Sequence, residues 1–217
     1  MRFRLVDSLW VEKSYEYMDW KTGTTKKSTY QEYDPKKDSF YKHLLKKPIN
    51  KLTPYEVQYV YAISWGYYMA DAMQYETVDE LIAAVTKGKE EELDSCYKFV
   101  HGLSFPLRVY RAIRNNQYKN SELVDGNINI SGKNNSTSWT VEPAIYKDNS
   151  SLFKNANTIV TCQIEPNVID NAHTIRNYVH YTARPQYGMY GEYEITLKSN
   201  FKQSDLHNLE MLNKDEI

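Results

Sequence analysis

The spacing of apolar residues changes at Pro106, and that change restricts the chain to folds in which helices and strands are segregated. Ahead of it, Thr53-Pro54-Tyr55-Glu56 has the form of a helix start. Thr53 can accept from the backbone, Pro54 suits the first helical position, and Glu56 can return to the Thr53 N–H. Val57, Tyr61, Trp65, Tyr68 and Ala72 follow at helical spacing and predict a helix over 54–74. At that spacing the aromatic residues read as core more readily than as a ligand box. A second capping box, Thr77-Val78-Asp79-Glu80, leads into Leu81, Ile82 and Val85 and stops at Gly88. A third helix over 90–100 turns Leu93, Cys96, Tyr97 and Val100 inward, with Gly102 ending it.

Beyond Pro106 the pattern is that of short strands. Leu107, Val109, Arg111 and Ile113 share one face of a strand, and Arg108, Tyr110, Ala112 and Arg114 share the other. Arg111 interrupts an apolar face, where a guanidinium needs a carboxylate, phosphate or carbonyl partner. It is either half of a structural ion pair or an anion site. Ser136-Thr137-Ser138-Trp139-Thr140 reads as a short strand, and Val141–Tyr146 as a helical turn. Thr158–Ile164 is the best core strand in the chain. Near the C-terminus, a loop bearing Gly188 and Gly191 precedes a strand in which Tyr193, Ile195 and Leu197 alternate with Glu192, Glu194 and Thr196. Two carboxylates thus point the same way. On an exposed face they are ordinary solvated charges; in a cleft they form a paired acid site.

Composition closes off several classes. A net charge of −1, from 27 Lys+Arg against 28 Asp+Glu, offers no footprint for non-specific nucleic-acid or membrane binding. The two cysteines, Cys96 and Cys162, form no Cys-x-x-Cys pair, so zinc chemistry has no support and no metal is expected. The N-terminus lacks the apolar run of a secretion signal and no stretch reaches membrane-spanning length, so a cytoplasmic site of action is expected. Residues 1–50 form a segment of unknown role, in which 19–39 read as a polar hairpin or loop turning at Thr22-Gly23-Thr24. Residues 51–102 form the helical layer, 103–200 the strand-rich core, and 201–217 a charged, frayed tail. The expectation is one α+β domain, acting as a monomer.

The order of the strand motifs, Tyr110-Arg111, then Ser138-Trp139-Thr140, then Glu192-Tyr193-Glu194, resembles that of the Arg–Ser–Glu group of ADP-ribosyltransferases. This group includes bacterial toxins of the Glu-x-Glu type and enzymes of T4-like bacteriophages. The likeness covers about 103–198. It implies an ADP-ribosyltransferase-like split antiparallel β-sandwich with the helical layer alongside and NAD in the cleft. It implies that Arg111, next to Tyr110, binds the NAD phosphates. The motif serine is Ser136 in the literal Ser-Thr-Ser register or Ser138 in a Ser-aromatic-Thr register, and Glu142-Pro143 downstream favours Ser138. Ser136 and Thr140 also fall to the NAD site by resemblance, while Trp139 either walls the nicotinamide pocket or serves the core. The family's Tyr-Arg-Gly is Tyr-Arg-Ala here, and its Ala-x-x-Phe helix is degenerate around Ile145, Tyr146 and Phe153.

The chemistry explains the residue types. Breaking the nicotinamide–ribose bond leaves positive charge on the sugar, which a carboxylate such as Glu194 stabilises as it forms. The Ser138 hydroxyl can orient that carboxylate or the ribose. Glu192 matches the extra glutamate of enzymes that modify arginine, where it can grip the target guanidinium and draw off its proton. Tyr187 and Tyr190 lie where the target would be met. The function implied is mono-ADP-ribosylation of a protein arginine, with NAD as substrate. The alternatives are the same fold acting on a nucleic-acid base, an NAD glycohydrolase, and an inactive binding or virion-associated protein.

Overall fold

A computed structural model describes residues 10–66, 77–113, 123–124, 127–132, 137–146, 158–183, 193–213 and 216–217. Strands β1 (Trp10–Asp19) and β2 (Thr24–Tyr33) pair along their whole length as an antiparallel hairpin. Gly23 takes φ +66°, a conformation open to glycine, and both Thr22 and Gly23 donate to the Asp19 carbonyl. The hairpin expected over 19–39 is therefore present, but it starts earlier. It has no third strand among the described residues.

The helices form as their caps direct. Helix α1 (Ser39–Leu44) is capped by Asp38, which is buried and also accepts from the Tyr59 hydroxyl at 2.5 Å. In α2 (Pro54–Gly66) both halves of the capping box are made: Glu56 N–H donates to Thr53 Oγ1, and Thr53 N–H donates to Glu56 Oε2. Thr77 caps α3 (Val78–Thr86) through the Glu80 N–H, and Gly88 follows at φ +69°. Helix α4 (Glu90–Gly102) buries Leu93, Cys96 and Val100. Burial leaves both cysteines as free thiols and pushes the Cys162 thiol up to about 12. Helix α2 is buried from Tyr59 to Ile63 on every side, because α1, α3, α4 and α5 (Asn171–Asn177) all pack against it.

The strand half is a single antiparallel sheet in the order β8-β6-β3-β7-β9. Its strands are β3 (Leu107–Ile113), β6 (Ser138–Thr140), β7 (Thr158–Ile164), β8 (Glu194–Thr196) and β9 (His207–Asn213). A separate short ribbon joins β4 (Leu123–Val124) to β5 (Asn127–Ile128). Residues 201–217 were expected as a frayed tail; instead β9 closes the β7 edge of the sheet. One pleat face carries Val109, Ile113, Trp139, Val160, Cys162, Ile164, Ile195 and Leu197, which join the buried helix residues in one apolar core. The α+β class is thus observed, with helices ahead of an antiparallel sheet. No helix among the described residues is long and apolar enough to cross a membrane.

Candidate functional site

The other pleat face carries a polar row beside the apolar Ala112, Ile159 and Leu212, and the register of that row is continuous across all five strands. Glu194 of β8 stands opposite Thr140 of β6, Thr140 opposite Tyr110 of β3, Tyr110 opposite Thr161 of β7, and Thr161 opposite Glu210 of β9. Directly opposed residues point to the same side of a sheet. A row of carboxylate, hydroxyl, phenol, hydroxyl and carboxylate therefore crosses this face. Ser138 and Thr196, opposite each other, occupy the neighbouring position on β6 and β8.

Glu194 is held at the sheet edge. The Thr196 hydroxyl donates to Glu194 Oε1 at 3.2 Å, and Asn177 Nδ2 donates to Thr196 Oγ1 at 3.4 Å. The hydroxyl that reaches the carboxylate is thus that of Thr196, two residues on and on the same face. Helix α5 serves as the missing neighbour of edge strand β8. Thr174 Oγ1 accepts from Thr196 N–H at 3.0 Å, and the Asp170 N–H donates to the Thr196 carbonyl at 2.8 Å. The helix is itself pinned from behind. Asn171 Nδ2 donates to the Leu44 and Lys47 carbonyls, both at 2.8 Å, tying α5 to the end of α1.

Just before Glu194, Tyr193 takes φ +41°, a left-handed conformation unusual for a bulky side chain. Its ring packs against Phe99 and Tyr178, with centroids 5.7 and 6.2 Å away, and its carbonyl accepts from the Val141 N–H. Sequence alternation placed Tyr193 on the buried face with Ile195 and Leu197. Ile195 and Leu197 are buried, but the turn in the backbone leaves Tyr193 partly exposed against the helices. Burial raises the Tyr178 phenol above its ordinary value, and the Ser95 hydroxyl contact at 3.0 Å opposes that shift.

Several expected site residues take other places. Trp139 is 1% exposed on the core face, filling the apolar interior beside Ile195. The Thr140 side chain is buried and its oxygen accepts from Glu142 N–H at 2.9 Å, shaping the turn after β6. Tyr110 is half-buried, and its carbonyl accepts from the Tyr146 hydroxyl. Arg111 is on the core side of β3 with Val109 and Ile113, opposite in parity to Glu194; it donates to the Ser138 carbonyl at 2.5 Å. That bond joins β3 to β6. Among the described residues the arginine on that face is Arg108, which alternation had grouped with Tyr110 but to which no role was attached. Ser136, Tyr187, Tyr190 and Glu192 lie outside the described residues.

Among the described residues no group of three or more His, Cys, Asp or Glu side chains is placed to hold a metal ion. Comparison with known proteins returned no matching family model, no matching curated protein and no matching solved structure.

Proposed function

We propose that this protein is a mono-ADP-ribosyltransferase that moves ADP-ribose from NAD to a protein arginine and releases nicotinamide. The observation that supports this most is the sheet order. The strands bearing Tyr110-Arg111, Ser138 and Glu194 are distant in sequence yet adjacent as β3, β6 and β8, with Glu194 level with Thr140 and Tyr110. On this reading the five-stranded sheet is one layer of an ADP-ribosyltransferase-like split β-sandwich.

The residues suit NAD in kind, because one polar face carries a held carboxylate, hydroxyls and a guanidinium. When bound, NAD supplies a ribose carbon whose bond to nicotinamide breaks, the electron pair leaving on the nicotinamide nitrogen. Glu194 supplies fixed negative charge beside that carbon, which favours the transition state over the ground state. The Thr196 hydroxyl keeps the carboxylate in one orientation, so little reorganisation is needed as charge develops. Ser138 presents a hydroxyl on the same face for the ribose. Glu192 takes the proton that the attacking guanidine nitrogen loses.

The test is nicotinamide release from NAD, wild type beside Glu194→Gln. A fall of at least ~100-fold, roughly 2.7 kcal/mol of barrier, is expected. Equal release by both proteins refutes the role given to Glu194, and no release by the wild type, even with cell lysate as acceptor source, refutes the transferase reading and leaves a binding protein. With labelled NAD, Glu192→Ala should abolish transfer to protein arginine while NAD cleavage survives. Label passing to nucleic acid, or to water alone, would instead assign the base-modifying or glycohydrolase alternative.

A further inference from the structure

We infer that the tip of the β1–β2 hairpin and the lysine-rich segment after it form a binding site for single-stranded nucleic acid. This goes beyond the transferase reading and does not depend on it. The net charge of −1 hides an uneven distribution, because residues 36–51 hold six lysines and one carboxylate. That carboxylate, Asp38, is buried and accepts from the Tyr41 N–H and the Tyr59 hydroxyl, so it offers nothing to the surface. Helix α1 turns Tyr41 and Leu44 inward and leaves Lys42 and His43 outside. Lys36, Lys37, Lys46 and Lys51 are exposed on either side of it. Lys47 is taken by Glu56 at 2.6 Å. Among the described residues none of the other five lysines has an ion-pair partner. Like charges gathered in one short segment repel each other, and a polyanion both relieves that repulsion and sheds its own counterions on binding.

The aromatic residues favour nucleic acid over an acidic protein. Only the turn from Asp34 to Lys37 separates β2 from the Asp38 cap of α1, so hairpin and lysines adjoin in the chain. From Ser14 to Thr29 no hairpin residue is buried, on either face. Tyr15 and Tyr17 share one of those faces with their ring centres 5.8 Å apart, and Lys26 stands directly opposite Tyr17. At the turn Trp20 is 89% exposed. With Tyr17, Met18, Asp19 and Lys21 it lines an open hollow of about 460 Å³, room enough for a base. Phe40 of α1 is exposed as well, between Lys37 and Lys42 in sequence. Exposed rings gain when a base stacks on them, whatever the base, whereas a carboxylate gains little from a ring face that is itself negative. Lysines for phosphates and rings for bases are the two components of sequence-tolerant single-strand binding. A duplex keeps its bases stacked on one another and cannot offer them to these rings.

The test is fluorescence anisotropy of dye-labelled single strands of about 12 nucleotides, one RNA and one DNA, titrated with the full chain. Each variant is checked by thermal melting. Binding of either strand supports the inference, and the tighter one names the source. Affinity should fall with salt at a log–log slope of about −3.5, from five lysines at about −0.7 each. The triple variant Lys42→Ala, Lys46→Ala, Lys51→Ala should flatten that slope to about −1.4. Tyr17→Ala and Trp20→Ala should each weaken binding about fivefold or more while the slope stays put. The inference fails if neither strand binds at low salt, if the triple variant leaves the slope unchanged, or if both ring variants bind like the wild type. Polyglutamate bound as tightly as the strands, with no dependence on Tyr17 or Trp20, would overturn it in favour of an acidic protein partner. A duplex bound more tightly than either strand would overturn the single-strand assignment.

Discussion

Replacing Thr174 by valine probes the joint between helix α5 and the strand that carries Glu194. Thr174 is fully buried. Its hydroxyl oxygen accepts from Thr196 N–H at 3.0 Å and donates to the Thr196 carbonyl at 3.4 Å. Valine has nearly the same shape, so packing is retained and only the hydroxyl is lost. The Thr196 carbonyl keeps its shorter bond from the Asp170 N–H, whereas the Thr196 N–H loses the partner that α5 supplies. A buried donor left unpaired costs about 1–3 kcal/mol. For a chain of this length each kcal/mol moves the melting temperature by about 2–4 °C, so a fall of roughly 2–12 °C is expected. Thr174→Ser retains the hydroxyl and should recover most of that loss. The assay is thermal unfolding followed by circular dichroism, with urea denaturation to give the free energy directly. A Thr174→Val melting temperature within about 1 °C of the wild type would show that α5 does not act as the neighbour of β8. The same variant carries a functional consequence, because Thr196 also holds Glu194. Nicotinamide release should drop under conditions where the protein remains folded.

Two further perturbations report on other parts of the frame. A Cβ built on Gly132 would collide with the Ser199 carbonyl, in a segment where Gly132 N–H donates to the Phe201 carbonyl. Gly132→Ala should therefore destabilise by about 1–3 kcal/mol, and an unchanged urea midpoint would refute the close approach. Asp170 caps α5, accepting from His173 N–H at 3.1 Å and meeting His173 Nδ1 at 2.8 Å. Burial pushes its carboxyl up, but the bonds from His173 outweigh this and leave it below the usual carboxylate value of 3.8. A depressed folded-state value means that the stabilisation is present above the unfolded value and lost as pH falls through the folded one. Asp170→Asn should thus narrow the stability difference between neutral and strongly acid solution, read as melting temperature against pH. A profile parallel to the wild type's would refute the assignment.

What the sequence disclosed depended on whether the information was local. Capping boxes at Thr53 and Thr77 involve residues three apart, so both helix starts could be read directly; both reciprocal bonds are made at Thr53, and Thr77 Oγ1 accepts from the Glu80 N–H. Strands β3 and β7 follow the same logic, since a buried strand needs an apolar run and Thr158–Ile164 supplies one. Helix α5 was missed because its buried positions include Asn171 and Thr174, polar residues kept inside by bonds to α1 and β8. Their partners are distant in sequence, so no periodicity announces them. Strand β9 was missed for the opposite reason: as an edge strand it buries none of its residues, and His207–Asn213 shows no alternation.

The candidate site lies between these cases. Alternation within β3 correctly separated Arg108 from Arg111, and alternation after Tyr193 correctly paired Glu194 with Thr196. Neither pattern says which face of one strand is coplanar with which face of another. That relation is set by register, and a slip of one residue between β3 and β6 would exchange the two arginines. The pairing of Tyr110 with Thr140, and of Thr140 with Glu194, removes the freedom. Motif order drew attention to Arg111 because it follows Tyr110 in sequence, but shared chemistry requires a shared face. For a guanidinium and a carboxylate to act on one substrate from strands of one pleated sheet, parity is a stricter condition than neighbourhood, and it sets Arg111 on the face opposite to Glu194.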